Sequence, residues 1–93
     1  MSRRIGVVGI VVDNPKPIVE KINAILSDYR HIITGRMGIP RLEENVSVIA
    51  LIIEGTTDEV GAMTGKLGSL PGVIVKSALT KKTTAEKGEC KND

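Results

Sequence analysis

The sequence predicts an α+β sandwich: a four-stranded antiparallel sheet carrying two helices on one face, in the order βαββαβ. Three observations predict it. Four short runs rich in Val and Ile alternate with two stretches whose apolar residues recur at helical spacing. Turn-forming residues separate them, at Asp13-Asn14-Pro15, Gly55 and Pro71-Gly72. A chain of 93 residues suits one domain, not two. Two right-handed βαβ crossovers joined in this order give a ferredoxin-like sheet in which strands one and three are central.

Ile5 to Val12 reads as strand one, ended by Asp13-Asn14-Pro15. From Pro17 to Tyr29 the spacing is helical, with Ile18, Val19, Ile22, Ile25, Leu26 and Tyr29 on one face. Glu20, Lys21, Asn23 and Ser27 fall opposite. Pro15 and Pro17 suit the loop and first turn, where a missing N–H costs little. His31 to Ile39 reads as strand two, loosened by Gly35 and Gly38. Pro40 to Glu44 is a polar connection, and Val46 to Ile53 is strand three. After Gly55, Thr56 and Glu59 stand at capping-box spacing and open a helix reaching about Ser69. Its inward face is Val60, Met63, Leu67 and Leu70; Pro71-Gly72 turns the chain into strand four, Val73 to Leu79. The domain is thus placed at residues 1–80. Lys81 to Asp93, polar except for Ala85 and Cys90, reads as a disordered tail.

The central strands are apolar on both sides. Ile5, Val7 and Val11 point one way in strand one, and Val8, Ile10 and Val12 the other. In strand three Val46, Val48 and Ile52 oppose Ile49, Leu51 and Ile53. Helices cover one face only, so the other is expected to be buried against another copy of the chain. A homodimer or homotetramer is expected. In helix two, Gly61, Gly65 and Gly68 form a stripe roughly opposite the apolar face. It admits two readings, close approach of a backbone or ligand, or simply a weak helix.

Composition excludes several function classes. A net charge of +2, with basic residues scattered from Arg3 to Lys91, gives no electrostatic hold on nucleic acid. Tyr29 is the only aromatic, so the central strands cannot stack bases. The loop Asp13-Asn14-Pro15-Lys16 has neither paired cysteines for a metal nor the Arg and free backbone donors of an anion cradle. His31 is the only imidazole and reads as a surface or strand-end residue; no metal or cofactor is expected. Glu43 and Glu44 are adjacent in a turn and diverge, and no nucleophile-base set assembles, so no catalytic residues are assigned. The lone Cys90 suits a reducing cytoplasm, and no apolar segment is long enough to cross a membrane.

Two segments remain as candidate ligand contacts. Asp13 and Asn14 stand where strand one meets helix one. In Thr34-Gly35-Arg36-Met37-Gly38, Gly35 and Gly38 allow close approach, and Arg36 can hold a carboxylate or phosphate at two points. The alternatives are a plain turn for the first and a bulged edge strand for the second.

Further segments carry a resemblance. Ile33-Thr34-Gly35-Arg36-Met37-Gly38-Ile39-Pro40 and Glu54-Gly55-Thr56-Thr57-Asp58-Glu59 are followed by Thr64-Gly65-Lys66-Leu67-Gly68, Leu70-Pro71-Gly72-Val73 and Val75-Lys76-Ser77-Ala78. Together they resemble the small bacterial family named for regulating the iron-only hydrogenase system. That family is related to ACT domains and to the C-terminal domain of the nickel-responsive repressor. The resemblance spans Arg4 to Thr80 and implies an ACT-like, non-enzymatic regulator linked to hydrogenase maturation or expression. It also implies a small effector held between subunits. Ser47 stands where the repressor has its cysteine, and only Met1 to Arg4 precede strand one, so neither its nickel site nor its DNA-binding segment is implied. Asp13-Asn14-Pro15 is similar to the ACT signature Asp-x-Pro-Gly, with Lys16 in place of the Gly. Two alternatives stay open: a protein-docking subunit without a ligand, and a metal sensor if His31 meets its symmetry mate.

Overall fold

The computed structural model describes residues 3–80; the tail expected at Lys81 to Asp93 lies outside them. Four strands, β1 (Arg4–Asp13), β2 (Ile33–Arg41), β3 (Val46–Gly55) and β4 (Val73–Leu79), form one sheet in the order β2-β3-β1-β4. All neighbours are antiparallel. Helices α1 (Val19–Asp28) and α2 (Thr57–Gly68) are the two crossovers and lie on the same face. The topology is the expected ferredoxin-like one, with β1 and β3 central.

The core is aliphatic and continuous. Val8, Ile10 and Val12 of β1 and Ile49, Leu51 and Ile53 of β3 pack on Ile22 and Leu26 of α1 and Val60, Met63 and Leu67 of α2. No polar side chain is buried among the described residues, so the core is held by apolar burial. Each of these side chains contributes about 1.5–3 kcal/mol when fully covered.

Helix α2 begins as its spacing predicts. The Thr56 hydroxyl accepts the Glu59 N–H at 3.1 Å, and the Glu59 carboxylate accepts the Thr56 N–H at 2.9 Å. Helix α1 starts at Val19, two residues later than Pro17. The Pro15 carbonyl first takes the N–H groups of both Ile18 and Val19 in a turn. Val19 therefore points outward and is exposed, whereas Ile18 is buried.

His31 is not in a strand. The Ile32 N–H bonds to the Tyr29 carbonyl, making Arg30–Ile32 a single 3-10 turn that buries Ile32 before β2 begins at Ile33. At its other end β2 continues through Pro40 to Arg41, which an edge strand tolerates, and a 3-10 turn at Leu42–Glu44 follows.

Candidate functional site

The sheet face turned away from the helices carries eight exposed aliphatic side chains. Ile5, Val7 and Val11 come from β1, Val48 and Ile52 from β3, Met37 and Ile39 from β2, and Ile74 from β4. Strand pairing sets them in rows across the sheet: Gly35, Ile52, Val7, Ala78; then Met37, Ala50, Gly9, Lys76; then Ile39, Val48, Val11, Ile74. The middle row is low at its centre and flanked by two aliphatic ridges. Depressions of about 400 Å³ beside Ile5, Val7 and Leu79 and about 170 Å³ beside Gly35 and Met37 lie on either side of Ile52. The two-sided apolar pattern of the central strands thus leaves an open apolar face.

Asp13 and Asn14 stand at one end of that face. Asn14 and Asn45 both adopt left-handed backbone, with φ of 55° each. Asn14 N–H donates to the Asn45 carbonyl at 2.9 Å, and Asn45 Nδ2 donates to Asn14 Oδ1 at 2.9 Å. These bonds tie the ends of β1 and the β2–β3 turn. The Asp13 N–H donates to the Gly72 carbonyl at 2.8 Å, which draws in the α2–β4 turn. Gly72 has φ 77°, and a side-chain carbon there would sit 2.8 Å from the Asp13 carbonyl oxygen, so both conformation and space call for glycine. An open cleft of about 290 Å³ lies between the two loops, lined by Asp13, Asn14, Pro17, Ile18, Pro71 and Gly72.

The second candidate segment divides between the two sides of the sheet. The register shifts between Ile33 and Gly35, a bulge at Thr34, whose hydroxyl donates to the Ile52 carbonyl at 3.1 Å. Gly35 consequently pairs with outward Ile52, while Arg36 and Gly38 pair with inward Leu51 and Ile49. Arg36 reaches toward α1, where its Nη2 donates to Asn23 Oδ1 at 3.3 Å. Arg36 is level with Leu51, and Asp13 with Val46, five residues away along β3 or about 17 Å. One chain therefore brings Asp13 together with Asn14, and leaves Gly35, Arg36 and Gly38 apart from them.

A polar cluster that spacing did not reveal joins the 3-10 turn to α2. Glu59 accepts from His31 Nε2 at 3.3 Å with Arg3 at 3.9 Å. The His31 ring stacks on Tyr29, and Lys66 Nζ lies 5.2 Å from the Tyr29 ring centre. The Thr56 N–H bond, helped by the Thr56 hydroxyl and His31, holds the Glu59 carboxyl below the usual carboxylate range. Only the Thr56–Glu59 pair carried a sequence signal. No group of three or more metal-ligating side chains occurs among the described residues. Nor is any helix there long and apolar enough to cross a membrane.

Fold and surfaces together define a small ferredoxin-like α+β domain with an uncovered apolar sheet face and a cleft at one end of it. The chain belongs to the TM1266-like family, described as "Iron-only hydrogenase system regulator, putative", whose model matches residues 4–77. Among solved structures it is similar to the uncharacterized protein TM1266 from Thermotoga maritima, with 34% identity and a TM-score of 0.81. That match covers 85% of this chain and 99% of the other. The apo form of CPII from Thiomonas intermedia K12, a nitrogen regulatory PII-like protein, shares the fold with a TM-score of 0.51 at 14% identity. It covers 83% of this chain and 91% of that one. No curated protein matches the chain.

Proposed function

We propose that this chain is a non-enzymatic regulatory protein of the iron-only hydrogenase system that binds a small effector at an interface between its own copies. Family membership supports the regulatory role. The observation that carries the binding mode is the separation of the candidate contacts: a cleft at Asp13 and Asn14, and the Arg36 backbone about 17 Å off along the sheet, its guanidinium turned toward Asn23 of α1. An effector touching both must take one from each of two copies. Arg36 suits a carboxylate or phosphate, and Asp13 with Asn14 suits an ammonium or amide, so an anionic or amino-acid-like molecule fits. Gly38 keeps the β2 edge low on the side that Arg36 occupies, and Gly35 does so on the open face. Regulation then follows from unequal affinity of the effector for two assembly states or partner complexes.

Native mass spectrometry of untagged protein purified from its own cells tests this, first gently desolvated and then denatured. The expected result is an oligomer carrying extra mass, lost in Arg36→Ala. Unchanged retention of that mass in Arg36→Ala would remove Arg36 from the site. The open apolar face also favours a second reading, in which the chain docks a maturation or regulatory protein without a ligand. A stoichiometric partner recovered with no small-molecule effect is its signature.

A further inference from the structure

We propose that a second copy of this chain covers the open sheet face, packing face to face and approaching most closely over Gly9. This pairing rests on the reading above that copies of the chain associate, and concerns the sheet face opposite the one toward which Arg36 reaches.

Gly9 is the starting observation. It lies in the middle of central strand β1, opposite Ala50 on one side and Lys76 on the other. Glycine weakens a strand interior, so it marks a bulge, a bend or a close approach. Two other strand glycines answer to the chain itself. A side-chain carbon on Gly6 would run into the Ala78 carbonyl and Leu79, and one on Gly55 would meet Ile32 at 2.9 Å. On Gly9 it would meet only the Lys76 carbonyl oxygen, at 4.0 Å. The pairing through Gly9 is also regular, without a bulge. Among the described residues no side chain comes within 4 Å of that position, and Ala50 extends the hollow between the aliphatic ridges.

The size of the face matches a copy of itself. Exposures of 39–62% on its eight large aliphatics correspond to roughly 700 Å² of accessible apolar surface. That exceeds the ~300–600 Å² patch of an ordinary monomer and approaches the ~800 Å² each partner gives a stable interface. Its rim carries both signs, Asp13 and Glu54 against Arg41 and Lys76, which a two-fold operation can match with themselves. The sheet edges are poor alternatives, because β2 has the Thr34 bulge and Pro40, and β4 presents Lys76.

Sedimentation velocity on the full untagged chain at micromolar concentration tests the pairing, with circular dichroism as a check on folding. Wild type is expected to sediment as a dimer or larger assembly. Gly9→Leu is expected to stay folded and to associate at least ~10-fold more weakly, as occurs when a central contact is blocked. Ile52→Lys, on the adjoining ridge, has the same expected effect and decides the matter if Gly9→Leu does not fold. Gly61→Ala on the open side of α2 is expected to leave assembly unchanged. A monomeric wild type, or a folded Gly9→Leu with wild-type assembly, would overturn the proposal. Effector mass on a monomer would sink this pairing yet spare effector binding, whereas a dimer without added mass would do the reverse.

Discussion

Thr56 and Glu59 exchange three hydrogen bonds of 2.9–3.2 Å, and these satisfy donors that the first turn of α2 would otherwise leave open. Thr56→Ala is expected to cost about 1 kcal/mol in urea denaturation, the usual loss of a side-chain cap. Glu59 adds a pH dependence whose sign is set by its depressed folded-state pKa. Its stabilising contribution is complete above the ordinary value of 4.5 and disappears as pH falls through the lower folded value. Melting temperatures measured on descending pH should therefore show wild type losing its advantage over Glu59→Gln in that acidic window. The pair was legible because its spacing is local and its chemistry specific. The approach of His31 and Arg3 to the same carboxylate was not, since it depends on a 3-10 turn and on the tertiary placement of β1.

At the scale of the elements, β1, β3 and α2 were readable because burial imposes a strong pattern on central pieces. Val8, Ile10 and Val12 against Ile5, Val7 and Val11 separate in the structure as they do in the sequence. Edge strand β2 was harder. The bulge at Thr34 interrupts the two-residue alternation, so Gly35 and Arg36 end on sides that could not be assigned from spacing alone. The start of α1 moved for a related reason, because Pro15 directs its carbonyl into a turn before the helix proper. Helix α2 resolves part of the question raised by its glycine stripe. Side-chain carbons on Gly61, Gly65 and Gly68 would meet, beyond their own helix backbone, no described atom within 4 Å. Gly65→Ala is therefore expected to raise stability by about 1 kcal/mol through helix propensity and a less flexible unfolded chain. Urea denaturation alongside sedimentation would show whether that gain comes without a change in assembly; altered assembly would instead mark the stripe as a contact surface.

For the whole molecule, a small aliphatic core leaves little reserve. Leu51 is fully buried at the centre of that core, and Leu51→Ala should cost about 2–5 kcal/mol, measurable in urea. For a domain whose total stability is of order 5–15 kcal/mol, the variant is expected to be marginal at best. If two copies share the open sheet face, dilution should lower the melting temperature, because association stabilises the folded state by mass action. A melting temperature independent of concentration over a hundredfold dilution would contradict that expectation. The described chain also begins and ends at one corner: Thr80 N–H bonds to the Ile5 carbonyl at 2.9 Å, and Arg4 Nη1 to the Thr80 carbonyl at 3.1 Å. A short bridge from Thr80 to Arg3 could therefore close the domain into a ring, and cutting that ring in the Leu42–Glu44 turn would yield a circular permutant. In such a chain β3 is made first and β2 last, so both central strands are synthesised before the irregular edge. Its refolding rate would report whether the edge strand guides assembly of the sheet or merely joins it.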